Sequence, residues 1–179
     1  MNEVREKTNK ILNNDPDLYS GVMHWISGNC WSNAYITNGY SQIPNINTYI
    51  VNSINKSIEI VEQMNKPLVL FHGFEKYSNY NEYTFKVGTK FTFGGILSKT
   101  SCFRIAQMFA CCQNYLQPKY LVVFYSIGSK QIGMDIKLKQ FDEYEYINKQ
   151  GESFEITDIY RRFNGIILET FYICKSLDL

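Results

Sequence analysis

The feature that most constrains this chain is a change of hydrophobic rhythm at Pro67. Upstream, Ile46, Ile50, Ile54, Ile58 and Val61 recur every three or four residues, which lays an apolar stripe along one face of a helix. Asn45, just after Pro44, is placed to cap that helix, and Pro67 follows its end. Earlier still, Val4 to Leu12 and Leu18 to Trp31 predict one or two short helices, and Asn38-Gly39 marks a turn. Downstream of Pro67 the apolar residues come in short runs. Leu68 to Phe71 predicts a buried strand ending at His72-Gly73, and Thr89 to Leu97 a strand interrupted by Gly94-Gly95. Phe103 to Cys112 suits a helix, while Tyr120 to Tyr125, Tyr144 to Ile147, Ser153 to Ile156 and Gly165 to Ile173 predict further strands. Helices first, then strands with a helix among them, is the order of an α+β domain.

With 179 residues the chain has the length of one domain, 1–179, expected to divide into a mainly helical portion (1–66) and a mainly β core (67–179). A hydrophobic fraction of 45% argues against disorder. The balance of 18 basic and 17 acidic residues excludes a bulk electrostatic nucleic-acid binder. No apolar run approaches the ~20 residues needed to cross a bilayer, so no membrane partner is expected. The stretch from Met1 to Pro16 is polar and lacks the apolar core of a secretory signal, which predicts a cytoplasmic location. Cys30, Cys102, Cys111, Cys112 and Cys174 are odd in number and show no CxxC spacing, as expected of reduced thiols. With His24 and His72 the only histidines, no metal site is expected.

Three short segments fall at predicted strand ends: Phe71-His72-Gly73-Phe74, Gly95-Ile96-Leu97-Ser98-Lys99-Thr100 and Glu143-Tyr144-Glu145. Each has an ordinary reading. A histidine beside glycine is commonly a core or turn residue, a Ser-x-Thr is commonly a solvated edge or a helix cap, and two glutamates two apart commonly share a solvated strand face. The same spacing also brings two carboxylates together and raises the pKa of one.

In this order and spacing the segments resemble the ADP-ribosyltransferase fold family, particularly its Arg-Ser-Glu branch of bacterial toxins and arginine-specific enzymes. Glu143 to Ile156 is similar, without a gap, to the family's Glu-x-Glu strand, glycine turn and following Phe-x-Ile strand. Gly133-Met134-Asp135-Ile136 resembles the glycine-bearing strand before the substrate-recognition loop. Val87-Gly88 followed by Phe91, Gly95 and Ser98 resembles the approach to the Ser-Thr-Ser segment, and Tyr40, Ile43 and Asn47 resemble a pattern in the helical portion. The likeness spans roughly Tyr35 to Ile173.

The resemblance implies two packed, mainly antiparallel sheets with an N-terminal helical portion. It also implies a toxin-like effector, a mono-ADP-ribosyltransferase that uses NAD as its substrate and a protein side chain as acceptor. Breaking the nicotinamide glycosidic bond creates an oxocarbenium-like cation, which calls for a negative group at the ribose. By resemblance Glu145 is that group, Ser98 orients it, and Glu143 marks an arginine acceptor whose guanidinium must lose a proton. Alternation along a strand would put Glu143 and Glu145 on one side and Tyr144 on the other. Thr100 gives structural support beside the cofactor. Phe109 either packs the nicotinamide or is a core residue of its helix. Phe141, in the loop from about Lys137 to Asp142, is expected to touch the protein substrate.

The chain departs from the toxin-like branch in one place. His72 stands where that branch carries an arginine that can hold an NAD phosphate, and His-Gly at a strand end instead resembles the His-Tyr-Glu branch. There the histidine contacts the adenosine ribose and the glycine backbone holds the nicotinamide carboxamide, a role Gly73 can keep. Arg104 and Lys99 lie nearby in sequence as sources of charge. Two other readings stand beside the enzyme: a catalytically degenerate NAD-binding or protein-interaction module of the same fold, and a transferase acting on nucleic acid, against which the near-neutral charge counts mildly. A monomer is expected.

Overall fold

The computed structural model of the protein describes residues 2–26, 48–61, 63, 65–74, 85–92, 96–110, 116–131, 144–147 and 151–177. In chain order its elements are α1 (Asn2–Asn13), α2 (Pro16–Ile26), α3 (Thr48–Ile60), β1 (Leu68–Phe74), β2 (Lys90–Thr92), β3 (Ser98–Thr100), α4 (Phe103–Phe109), β4 (Lys119–Ser126), β5 (Lys130–Gln131), β6 (Glu145–Ile147), β7 (Ser153–Phe163) and β8 (Leu168–Ser176). They form two compact units of interleaved sequence. One comprises Met1–Met64, Phe93–Leu97 and Gly128–Gly151, the other Asn65–Thr92, Ser98–Ile127 and Glu152–Leu179.

In the first unit, Asp15 Oδ1 accepts hydrogen bonds from the backbone N–H of Asp17 (3.1 Å) and Leu18 (3.2 Å), capping α2 with Pro16 as its first helical residue. The Ser57 hydroxyl, 2.7 Å from Ser53 O and 3.0 Å from Leu18 O, ties α3 to α2. The apolar stripe read from the sequence is buried at Ile54 and Val61. Asn45 and Asn38-Gly39 lie outside the described residues. The last carbonyls of α3 are met from afar: Lys130 Nζ donates to Ile58 O (2.6 Å) and Glu59 O (3.1 Å). Lys130 opens β5, a two-residue strand that pairs antiparallel with β6 and was too short to read from the sequence.

In the second unit the sheet runs β2-β7-β8-β4-β1-β3. Of the ladders described within it only β4–β8 is parallel. Leu121, Val122, Val123 and Phe124 of β4 are all buried, as a strand covered on both faces requires. On one face α4 packs Ala106 and Ala110 against Leu121, Val123 and Phe171, flanked by Phe71, Phe103 and Ile173. Leu70, Phe124, Phe154, Ile156 and Cys174 are likewise fully buried.

Several strand boundaries differ from the sequence reading: of the run Thr89 to Leu97 only Lys90–Thr92 is a described strand, and β3 follows at Ser98, where none was expected. β1 does not end at His72-Gly73: it runs to Phe74, with His72, Gly73 and Phe74 in register with Val122, Leu121 and Tyr120 of β4. β7 continues well past Ile156, through a register shift at Ile156/Asp158, because its distal half pairs with β8 although its side chains are mostly solvated. β8 starts at Leu168, since Gly165 (φ 94°) belongs to a turn in which Asn164 Oδ1 accepts from Ile166 N and Ile167 N. Among the described residues no helix is long and apolar enough to cross a membrane.

Candidate functional site

Gly73 lies at the closest approach of helix to sheet. A Cβ there would stand 1.8 Å from Ala106 O and 2.8 Å from Ala110 N, both backbone atoms of the α4 region. Position 73 therefore admits only glycine, whatever its backbone does for a ligand. Strand alternation puts Gly73 and Phe71 on the α4 side of β1, and His72 with Leu70 and Phe74 on the other.

His72 is half-buried, and its Nδ1 donates to the backbone carbonyl of Ser98 at 2.9 Å. Burial, aided by the charge of Lys99 and opposed by that hydrogen bond, brings its pKa down to about 4. The ring is therefore neutral at pH 7. With Nδ1 carrying the proton, Nε2 presents a lone pair, which suits a hydroxyl donor and not a phosphate. The unfolded chain takes up this proton near pH 6.5 and the native protein only near 4, so stability is complete above 6.5 and declines as pH falls through that window. The expected loss is about 3 kcal/mol between the two values. Chemical denaturation of His72→Asn across pH 7 to 4 checks this: the variant's acid slope should be flatter than that of the wild type.

Ser98 opens β3, where Phe71 pairs with Thr100, so Ser98 and Thr100 face the α4 side and Lys99 faces the His72 side. Ser98 and His72 thus meet through the Ser98 carbonyl, with their side chains on opposite faces. Thr100 Oγ1 accepts from Cys102 N at 3.0 Å and shapes the turn into α4. Lys99 is the residue whose surroundings the sequence hid. Its ammonium lies 3.7 Å from Glu152 Oε2 and 4.3 and 4.5 Å from the ring centres of Phe124 and Phe154, with its side chain 0% exposed. Burial lowers its pKa to about 7 against the pull of Glu152. A cation so close also gives a physical reason for a neutral ring at position 72.

Phe109 closes α4 and is 47% exposed, while the packed residues there are Ile105, Ala106 and Ala110, so it is not the core residue of its helix. Glu145, in the first unit, is the first residue of β6 and is 8% exposed. Tyr144 before it has φ 49° and is exposed. That left-handed residue immediately precedes β6. Glu143 and Phe141 lie outside the described residues, as do Gly133 to Ile136.

No family model and no curated protein sequence matches the chain. Solved structures do. The ADP-ribosylating toxin BECa of a binary enterotoxin of C. perfringens, determined with NADH, superposes with TM-score 0.68 at 11% identity, over 98% of this chain and 46% of that one. This chain thus spans less than half the length of BECa. Plx2a, an ADP-ribosyltransferase toxin from Paenibacillus larvae, matches at 0.64 and 11% identity over 96% and 92% of the two chains. The chain has the ADP-ribosyltransferase fold. Vis, an ADP-ribosyltransferase from Vibrio splendidus, shares this fold in its complex with agmatine, at TM-score 0.60 and 13% identity over 99% of this chain and 86% of that one. The α+β class expected from the ADP-ribosyltransferase resemblance is found; the expectation was of two packed, mainly antiparallel sheets, and the sheet is mixed, with a parallel β4–β8 ladder.

Proposed function

We propose that the protein is a mono-ADP-ribosyltransferase that moves ADP-ribose from NAD to a protein arginine and releases nicotinamide. The observation that carries this reading is the buried carboxylate of Glu145 at the head of β6, in a chain that sets His72, Gly73 and Ser98 together at β1 and β3. As the glycosidic bond breaks, nicotinamide departs with the bonding pair and positive charge develops on the ribose. Glu145 stabilises that charge, and Ser98 has the supporting role that the family resemblance gives it. A guanidinium nitrogen then attacks the anomeric carbon, and its proton passes to Glu143. His72 offers Nε2 to a ribose hydroxyl, the Gly73 backbone takes the carboxamide, and Phe109 and Phe141 serve the nicotinamide and the acceptor. The agmatine held by Vis carries the same guanidinium group, which supports an arginine acceptor, and the NADH held by BECa supports a dinucleotide substrate.

The test separates cleavage from transfer. Water can capture the cation without Glu143, so Glu143→Ala is expected to abolish transfer to a guanidine acceptor while slow release of nicotinamide continues. Parallel measurement of nicotinamide release and acceptor labelling checks this. If both activities fall together, Glu143 belongs to the cleavage step and the arginine assignment loses its main support. The second reading is a catalytically degenerate NAD-binding or protein-interaction module of the same fold, which the departure at His72 from the toxin-like branch's arginine keeps beside the first. NAD binding by the wild type with no nicotinamide release would select that reading.

A further inference from the structure

β3 is among the shortest strands described. The strand is three residues long, and its ladder to β1 registers at Phe71↔Thr100. Yet it carries Ser98, whose carbonyl receives the His72 Nδ1 proton. Its middle residue sends a long side chain across the sheet to rings on β4 and β7 and to a carboxylate just before β7. A buried ammonium is costly unless ring faces and a counter-charge receive it, and here both do. We propose that Lys99 is a positioning residue: as a cation held by Phe124, Phe154 and Glu152, it fixes β3, and through the Ser98 carbonyl it fixes the orientation of the His72 ring.

The ionisable groups that sense Lys99 are consistent with such a hub. Glu152 lies against it, its charge lowers the His72 pKa, and it opposes the burial that pushes the Cys174 thiol of β8 up to about 12. An apolar side chain of equal length would fill the space between Phe124 and Phe154 but would leave Glu152 without this counter-charge. The strand would then be packed but not pinned. This inference deepens the proposed function and rests on it for the meaning of Ser98 and His72 as substrate-site residues.

The test uses a readout that does not need turnover. His24 and His72 are the only histidines, so the imidazole ¹⁵N spectrum is simple to assign. It is read at about pH 6, below the Lys99 pKa of about 7 and above the His72 pKa of about 4, where Lys99 is the ammonium and His72 is still neutral. In the wild type His72 should show one fixed tautomer, protonated at Nδ1. In Lys99→Met that signature should give way to averaged nitrogen shifts, and the Michaelis constant for NAD should rise about tenfold or more with kcat changed less. Glu152→Gln keeps the shape and removes the counter-charge; it should move both readouts the same way by a smaller factor, and it decides the matter if Lys99→Met does not fold. Wild-type His72 shifts in the folded variants overturn the proposal. A wild type that binds no NAD would instead overturn the proposed function, and the ¹⁵N spectra would still decide the role of Lys99.

Discussion

Glu145→Gln should leave the fold and most NAD binding in place while transfer falls at least ~100-fold, the loss typical of removing one electrostatic partner of a transition state. The substitution preserves size and hydrogen-bonding reach and removes only the negative charge. Glu145 is buried at the start of β6, so an anion from solvent does not readily take the place of the lost carboxylate. Nicotinamide release and acceptor labelling should fall together, in contrast to Glu143→Ala, where only labelling is lost. Unaltered thermal unfolding is the control for folding. Transfer at the wild-type rate would remove Glu145 from the centre of the mechanism.

Gly73→Ala should be strongly destabilising, since among the glycines whose surroundings are described only Gly73 meets another atom where a Cβ would stand. The added carbon would lie 1.8 Å from a backbone carbonyl of α4, a contact that no rotamer change relieves. Either α4 lifts from β1, opening the packing of Ala106 and Ala110 against Leu121, Val123 and Phe171, or β1 leaves its register with β4. Overpacking of this kind typically costs 1–3 kcal/mol, and against rigid backbone the expected loss is roughly 3 kcal/mol or more. Denaturant unfolding measures it. A variant as stable as the wild type would show that α4 does not sit on β1 as described.

Both residues were visible in the sequence, for unequal reasons. Glu145 was singled out because Glu143-Tyr144-Glu145 and the glycine turn after it resemble a family pattern, not because two glutamates so spaced are rare. Gly73 was singled out as a backbone contact for a ligand, and its packing against Ala106 O could not be seen because that neighbour lies more than thirty residues away in sequence. For the same reason His-Gly read as a strand end, when β1 continues through it. The apolar runs of β4 and the stripe of α3 announced themselves because burial on a regular face leaves a period. The distal half of β7 did not: Tyr160, Arg161, Arg162 and Phe163 are exposed, and backbone pairing with β8 holds them in a strand with no hydrophobic alternation to betray it. Lys99 was hidden most thoroughly. In Ser-x-Thr a lysine reads as a solvated middle residue, and only the rings of Phe124 and Phe154 make it a buried one.

The place of β8 has a consequence for the order of events during synthesis. It lies between β7 and β4, and it is the last strand described along the chain. Until it is made, β4, β1 and β3 form one half-sheet and β7 and β2 another, with no ladder joining them. A nascent chain that has already produced Glu145, Ser98 and His72 thus still lacks the strand that closes the second unit's sheet. β8 meets β7 as a local hairpin, but its parallel pairing with β4, registered at Lys119↔Glu169, is non-local and correspondingly slow. The sheet of the second unit therefore becomes continuous only when β8 joins the β7 half to the β4 half.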